Sequence, residues 1–444
     1  MPVFQKANKL IALSAFALSA TLFHATTMRA ATTSADAAAA VSTSADAAPA
    51  ADVATPEPQA AAPAAAPAPA APAAPPTWSV GPIAFSGLVD GYYNFNANHP
   101  NNPNNPNQNQ LRNFDFDANS FSLNMVKLSM SYSPAPVGFQ VDLGFGKAFS
   151  AFGTGVTSCN QNGGYYNYFT PQCDSQNDMH LEQAYIAWKP TKAKGFEADF
   201  GEFVTSASAE VIETMNNPNY SRSLLFTYFA PYYHMGLRTS MPVTKKETVG
   251  LQIVNGWNNI TDNNEGKTFG LTSLYTATNY NWALNYYVGP ENNNTDVGYR
   301  NLIDSTFNWT PAKMAKWTGY VNYDYLQNRN SVQNGSGTGY HATNLVHQQG
   351  IAGELRYQAT GTMALSGRYE YVYDASGVIT GFAKASLEEF TVTGEYKMSQ
   401  GLLARLEYRR DSTDNFFFYK GGAQKAKAQS TLEFGVVAFF GPTH

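Results

Sequence analysis

The stretch Q-G-I-A-G-E-L-R-Y-Q-A-T, residues 349–360, passes through a break at Gly361 into T-M-A-L-S-G-R-Y-E-Y-V-Y-D, residues 362–374, and both halves alternate. Ile351, Gly353, Leu355, Tyr357 and Ala359 share one parity; Ala352, Glu354, Arg356 and Gln358 share the other. After the break, Met363, Leu365, Gly367, Tyr369 and Tyr371 oppose Ala364, Ser366, Arg368 and Glu370. A period of two sends successive side chains to opposite faces of a strand. A soluble sandwich places turn signals about every 8–12 residues and hides its apolar face against a second sheet. Here each strand is long enough to cross a bilayer when tilted, and the connection is a few residues. The pair reads as one hairpin of a transmembrane barrel, apolar to lipid and charged to the lumen.

Composition supports this. Hydrophobic residues make up 43% and charged residues only 14%, with a mean hydropathy of -0.32. A helical membrane protein needs continuous apolar spans, whereas a barrel mixes the two because only alternate residues meet lipid. The 14% of aromatic residues suits interfacial girdles and strand propensity. A net charge of -5 gives no basic footprint, which argues against a nucleic-acid partner.

Upstream, Lys6 and Lys9 precede an apolar run over residues 10–23. That is the pattern of a secretory signal, too short to span as a helix. We expect a signal peptide over residues 1–30, cleaved between residues 25 and 35. Residues 31–77 are almost all Ala, Pro, Ser, Thr and Val. Such a segment buries too little apolar surface to fold and reads as a periplasmic spacer or a simple linker. The barrel is expected over residues 78–444.

Alternation starts at Ile83 and continues to Phe440. Residues 121–132 switch parity, so a bulge is expected near Val126. Further strands are predicted at 180–190, 196–205, 224–241, 248–258, 268–278, 280–289, 301–310, 317–327, 349–360, 362–374, 386–398, 402–410 and 429–440. Short breaks alternate with long Asn- and Gly-rich ones, as in barrels with short periplasmic turns and longer external loops. The expected fold is all-β: an antiparallel up-and-down transmembrane barrel of about sixteen strands, a size that leaves an aqueous channel. Trp188, Trp282, Trp309 and Trp317 lie near predicted short turns, as a periplasmic girdle requires.

Several runs carry a resemblance. F-S-G-L-V-D-G-Y-Y-N-F-N (85–96), N-Q-L-R-N-F-D-F (109–116), N-S-F-S-L-N (119–124) and V-G-F-Q-V-D-L-G-F-G (137–146) resemble the β-barrel porin family described as OmpL-like. So do D-F-G-E-F-V-T-S-A-S-A-E-V-I-E-T (199–214), N-Y-S-R-S-L-L-F (219–226) and P-Y-Y-H-M-G-L-R (231–238). The resemblance implies a bacterial outer-membrane pore inserted by the barrel-assembly machinery, and it brings no catalytic residues. Such barrels commonly end on an aromatic, whereas four residues follow Phe440 here.

The strongest irregularity is residues 203–223, which lose alternation, contain the helix-like S-A-S-A-E-V-I-E-T (206–214), and resume as strand at Leu224. A charged loop folded into the lumen would supply the constriction that a selective pore needs. We expect Glu210, Glu213 and Arg222 to hang there, facing Arg356, Arg368, Arg405 and Arg409; a loop lying outside the barrel is the alternative. Other lumen candidates are His234, Arg238, Glu354, Glu370, Glu395 and Glu407. These acids and bases would either set up a transverse field or neutralise one another along the wall. Cys159 and Cys173, fourteen apart in an exported loop, are expected to form a disulfide worth roughly 3 kcal/mol on the entropic model. No G-x-S-x-G, H-E-x-x-H or phosphate-loop pattern occurs, and no metal or cofactor is expected.

The expected function is a porin for passive diffusion of small hydrophilic solutes. A substrate-specific channel or a surface-adhesion barrel binding through its external loops is the alternative, and an outer-membrane enzyme a weaker one. The expected surroundings are the lipid bilayer and lipopolysaccharide, and a homotrimer is the assembly such barrels often adopt.

Overall fold

The computed structural model describes residues 78–101, 107–134, 136–152, 180–333, 339–399, 401–422 and 424–441. The signal and spacer expectations, and Cys159 and Cys173, lie outside the described residues. Sixteen antiparallel strands form the wall. They are β1 (Ile83–Asn96), β2 (Ser120–Tyr132), β3 (Val137–Phe145), β4 (His180–Trp188), β5 (Glu197–Val204), β6 (Tyr233–Pro242), β7 (Glu247–Val254) and β8 (Thr268–Thr276). There follow β9 (Tyr280–Gly289), β10 (Arg300–Trp309), β11 (Trp317–Gln333), β12 (Tyr340–Gln358), β13 (Met363–Asp374), β14 (Ala385–Ser399), β15 (Leu402–Thr413) and β16 (Ala428–Phe440).

Every strand pairs with its sequence neighbours, and β16 pairs with β1 through Thr431↔Asn96 to Phe440↔Gly87. The sheet is therefore closed and the fold is the up-and-down barrel expected. Closure removes the unpaired edges that a membrane would penalise.

The two faces obey the alternation. On β11, Val321 is 46% exposed while Asn322 is 1% exposed. Trp188 and Trp309 end strands, Trp317 begins one, and all three sit beside short connections. Phe440 ends β16 beside Trp78, ring centroids 5.5 Å apart, so the closing aromatic sits at the rim despite the residues that follow it. The expected bulge is present: Asp90 pairs with Met125 and Gly91 with Leu123, leaving Asn124 as the extra residue.

Three boundary expectations fail. Leu224 does not resume a strand: Leu224–Tyr228 is a short helix, and β6 begins only at Tyr233. Ser223 caps that helix, its hydroxyl accepting from the Phe226 N–H at 2.9 Å, which is the stop-and-start signal a strand reading ignores. Conversely, residues 206–214 form no helix; only Thr214–Asn216 makes a 3-10 turn. In addition, β12 starts at Tyr340, nine residues before the expected boundary, and pairs with β11 as far as Gln333↔Tyr340. At 17 and 19 residues, β11 and β12 exceed the 9–11 or so that a span needs.

Candidate functional site

Residues 205–232, the connection from β5 to β6, fold into the barrel. Their local shape follows from sequence. Asn217 precedes Pro218 and is extended, as a residue before proline prefers. Its side chain closes the turn on the Val211 N–H (2.9 Å) and on the carbonyls of Val211 (2.7 Å) and Glu213 (3.1 Å). What holds the segment in place is the wall.

The charged rows of β13–β15 grip its backbone. Arg405 donates to the carbonyls of Thr214 (2.6 Å), Asn217 (2.6 Å) and Asn219 (3.1 Å). Glu407 accepts from the N–H groups of Tyr220 (2.6 Å) and Ser221 (3.0 Å). Arg409 reaches the Arg222 carbonyl at 2.5 Å, and Arg368 the Ser221 carbonyl at 2.8 Å. Glu370 accepts from Leu224 (3.0 Å) and Leu225 (3.2 Å), the unpaired first N–H groups of the short helix. A loop buried in a barrel would otherwise strand its backbone groups, each at a cost of about 1–3 kcal/mol.

Grips elsewhere show that the segment crosses the lumen. Tyr220 and Thr214 donate to Asp90 of β1, both at 2.7 Å. On the far side Asn285 of β9 donates to the Ser206 carbonyl at 2.9 Å, and Gln252 of β7 to the Ser206 hydroxyl at 3.1 Å. Gly435 of β16 is required for the fit, because any Cβ there would run into the Tyr220 ring.

The sequence-derived candidates differ in where they fall. Glu210 sits where expected, 2.6 Å from Arg368 and 3.2 Å from the Tyr320 hydroxyl. Glu213 meets Lys127 of β2 rather than an arginine. Arg222 turns away from the wall arginines, donating to the carbonyls of Tyr220 and Ile212 and lying 4.8 Å over the Phe114 ring.

Arg356 does not touch the segment; Glu395 lies 2.7 Å from both Arg356 and Arg405. Along this ladder the acids and bases neutralise one another. Glu354 lies cross-strand from Arg368 and is buried. Arg238 pairs with Asp199 at 2.7 Å. His234 is a correction to the lining set. It is fully buried, stacked on Tyr287 with centroids 5.1 Å apart, and has Nδ1 3.1 Å from the Gly256 carbonyl. No open channel surface remains at that position.

Two features escaped sequence reasoning. The β1–β2 connection also enters the lumen: Arg112 lies 3.2 Å from Asp411 of β15, and Phe114 packs between Arg222 and Tyr232. The apolar residues Leu111, Phe114 and Phe116 inside an Asn-rich loop were the available signal. Lys127 gathers Asp142 (3.1 Å), Glu182 (2.9 Å) and Glu213. Its inward parity on β2 was visible, but its partners were not.

Residues 82–440 match the family described as "Putative beta-barrel porin-2, OmpL-like". The chain belongs to this porin family. It is accordingly an outer-membrane β-barrel that forms a water-filled channel for small hydrophilic solutes. No curated protein matches it.

Solved structures share the fold of this OmpL-like porin at low identity. The outer membrane channel DcaP of Acinetobacter baumannii is 9% identical with a TM-score of 0.52, over 81% of this chain and 97% of that one. Salmonella typhi OmpF, solved as a complex with daunomycin, is 12% identical with a TM-score of 0.51, over 81% and 97%. Pseudomonas putida OprB is 10% identical with a TM-score of 0.51, over 81% and 94%.

Proposed function

We propose that residues 205–232 are the constriction of this porin and that permeation is passive, with no catalytic step. One observation carries the reading: the segment makes hydrogen bonds to β1 on one side of the lumen and to β7 and β9 on the other. Anything passing through the barrel must go round it. The wall charges expected to line the pore, Arg368, Arg405, Glu407 and Arg409 among them, hold this segment in place. Glu210, Glu213 and Arg222 are its own charges, and each has a partner. A constriction that is bolted rather than hinged suits a continuously open diffusion pore.

Export by a signal over residues 1–30, a spacer over residues 31–77, insertion by the barrel-assembly machinery, contact with lipopolysaccharide and assembly as a homotrimer complete the proposal. The apolar outer face serves lipid and subunit contacts alike.

The test is single-channel conductance of the purified porin in a planar bilayer, with and without residues 207–220. The intact barrel should open in ohmic steps, and the deletion should raise the step size about twofold or more, as removal of a narrowing does. An unchanged step size from a folded deletion barrel would place the narrowing elsewhere.

A further inference from the structure

We propose that the open part of the lumen is an uncharged wall on β7–β9 and that this porin favours neutral, hydroxyl-bearing solutes of sugar size over ions of similar size. The proposal rests on the porin reading above and names the solute class of that channel.

The lumen is filled unevenly. On β13–β16 the inward residues are buried almost throughout: Ser366, Arg368, Thr393, Arg405, Glu407 and Val437 are each at most 2% exposed. The inserted segments occupy that side. On β7–β9 the inward residues of the half nearest the short connections keep solvent access: Thr248, Gly250, Thr272, Leu274, Asn281 and Ala283 are all partly exposed. Their inward direction follows from register. Gly250 pairs with Thr272 and Leu274 with Ala283. They share parity with Gln252, which reaches the inserted Ser206, whereas Leu251 and Leu271 between them face outward at 44% and 42% exposure.

These six wall positions carry two hydroxyls, one amide, two apolar side chains and a glycine, and no ionisable group. Bordering charges are paired or buried, Asp304 of β10 lying fully buried against the Asn285 and Asn322 amides, except Lys246, which is exposed in the connection ahead of β7. Arg238 of β6 is held by Asp199, and across the lumen Glu395 is shared by Arg356 and Arg405. Lys397 is exposed only at the rim of β14. Selectivity for ions comes from rings of charge or converging dipoles, and a path without them leaves an ion to shed hydration uncompensated. A neutral polyol loses less: hydroxyls and the Asn281 amide replace its water, and the Leu274 and Ala283 faces accept its C–H surface.

The test uses the full-length porin in two assays. In liposome swelling, glucose should enter about threefold or more faster than gluconate and glucosamine, which match its size with either charge. In a KCl gradient, the K+/Cl- permeability ratio should lie within about twofold of unity. Two variants locate the path. Asn281→Asp keeps the acceptor that the Asn308 amide uses at 2.8 Å, and Thr272→Asp places a charge on the neighbouring strand. Each should raise the K+/Cl- ratio by about threefold or more.

The proposal is overturned if either charged sugar analogue enters as fast as glucose, if the native ratio is far from unity, or if conducting barrels of both variants keep the native ratio. A folded native barrel that neither conducts nor swells liposomes would instead remove the porin reading itself, an outcome distinct from all of these.

Discussion

Replacing Arg368 by methionine should destabilise the barrel by about 3–5 kcal/mol and release the inserted segment, because one guanidinium serves three carboxylates there. Glu210 lies at 2.6 Å, Glu389 at 3.1 Å and Glu370 at 3.3 Å, and all four side chains are at most 1% exposed. The same group also holds the Ser221 carbonyl. Removing it leaves uncompensated charge where water cannot reach, which costs far more than the pair contributes while intact. Urea titration of the refolded barrel in detergent should show the loss, and single-channel records should show added current noise as the segment frees. Adding Glu210→Gln to Arg368→Met should recover about 1–2 kcal/mol by removing one stranded charge. Arg368→Lys should not restore the native value, since an ammonium cannot span the same fork of acceptors. A single variant as stable and as quiet as the native barrel would show that the wall charges do not hold the segment.

The second large effect is on the outside. Val321 sits midway along the membrane part of β11, with Trp317 and Tyr325 four residues away on the same face, and is cross-strand from Phe307 and Gly353. Val321→Arg should cost about 2–4 kcal/mol of insertion free energy, measured by urea titration of folding into lipid vesicles. Val321→Leu, which keeps the face apolar, should stay within about 0.5 kcal/mol. An arginine tolerated there without loss would mean that this face does not meet hydrocarbon. The two experiments are independent, since Val321 points away from the lumen and Arg368 into it.

The outer face was legible because it depends on near neighbours. The alternation of residues 349–374 reappears as β12 and β13 with Glu354 and Arg368 paired inward and Leu355 and Gly367 paired outward. The parity switch in residues 121–132 located a bulge to within two residues, at Asn124. Tryptophans marked the ends of strands because interfacial placement is a property of one residue and its distance from a turn.

The site was legible only in outline. Lost alternation flagged the inserted segment, but residues 206–214 look helical by composition and are not, because their backbone groups find partners on Asn217, Asn285 and Asn322 instead. The true helix, Leu224–Tyr228, is too short to declare itself by periodicity and is placed by Glu370, which is 146 residues from Leu224 in the chain.

By itself, then, the sequence determined that this chain closes an antiparallel barrel with an apolar exterior, since strand parity, turn chemistry and girdle position are written locally. Only the tertiary structure decided what the charged interior does. Glu210 and Arg368 are 158 residues apart, and Arg112 and Asp411 are 299 apart. Whether an inward arginine faces water or an inserted loop depends on which distant segment folds onto it. The cost of burying a charge or a backbone amide unpaired made those partners mutual, so the loop and the wall charges determine each other's place.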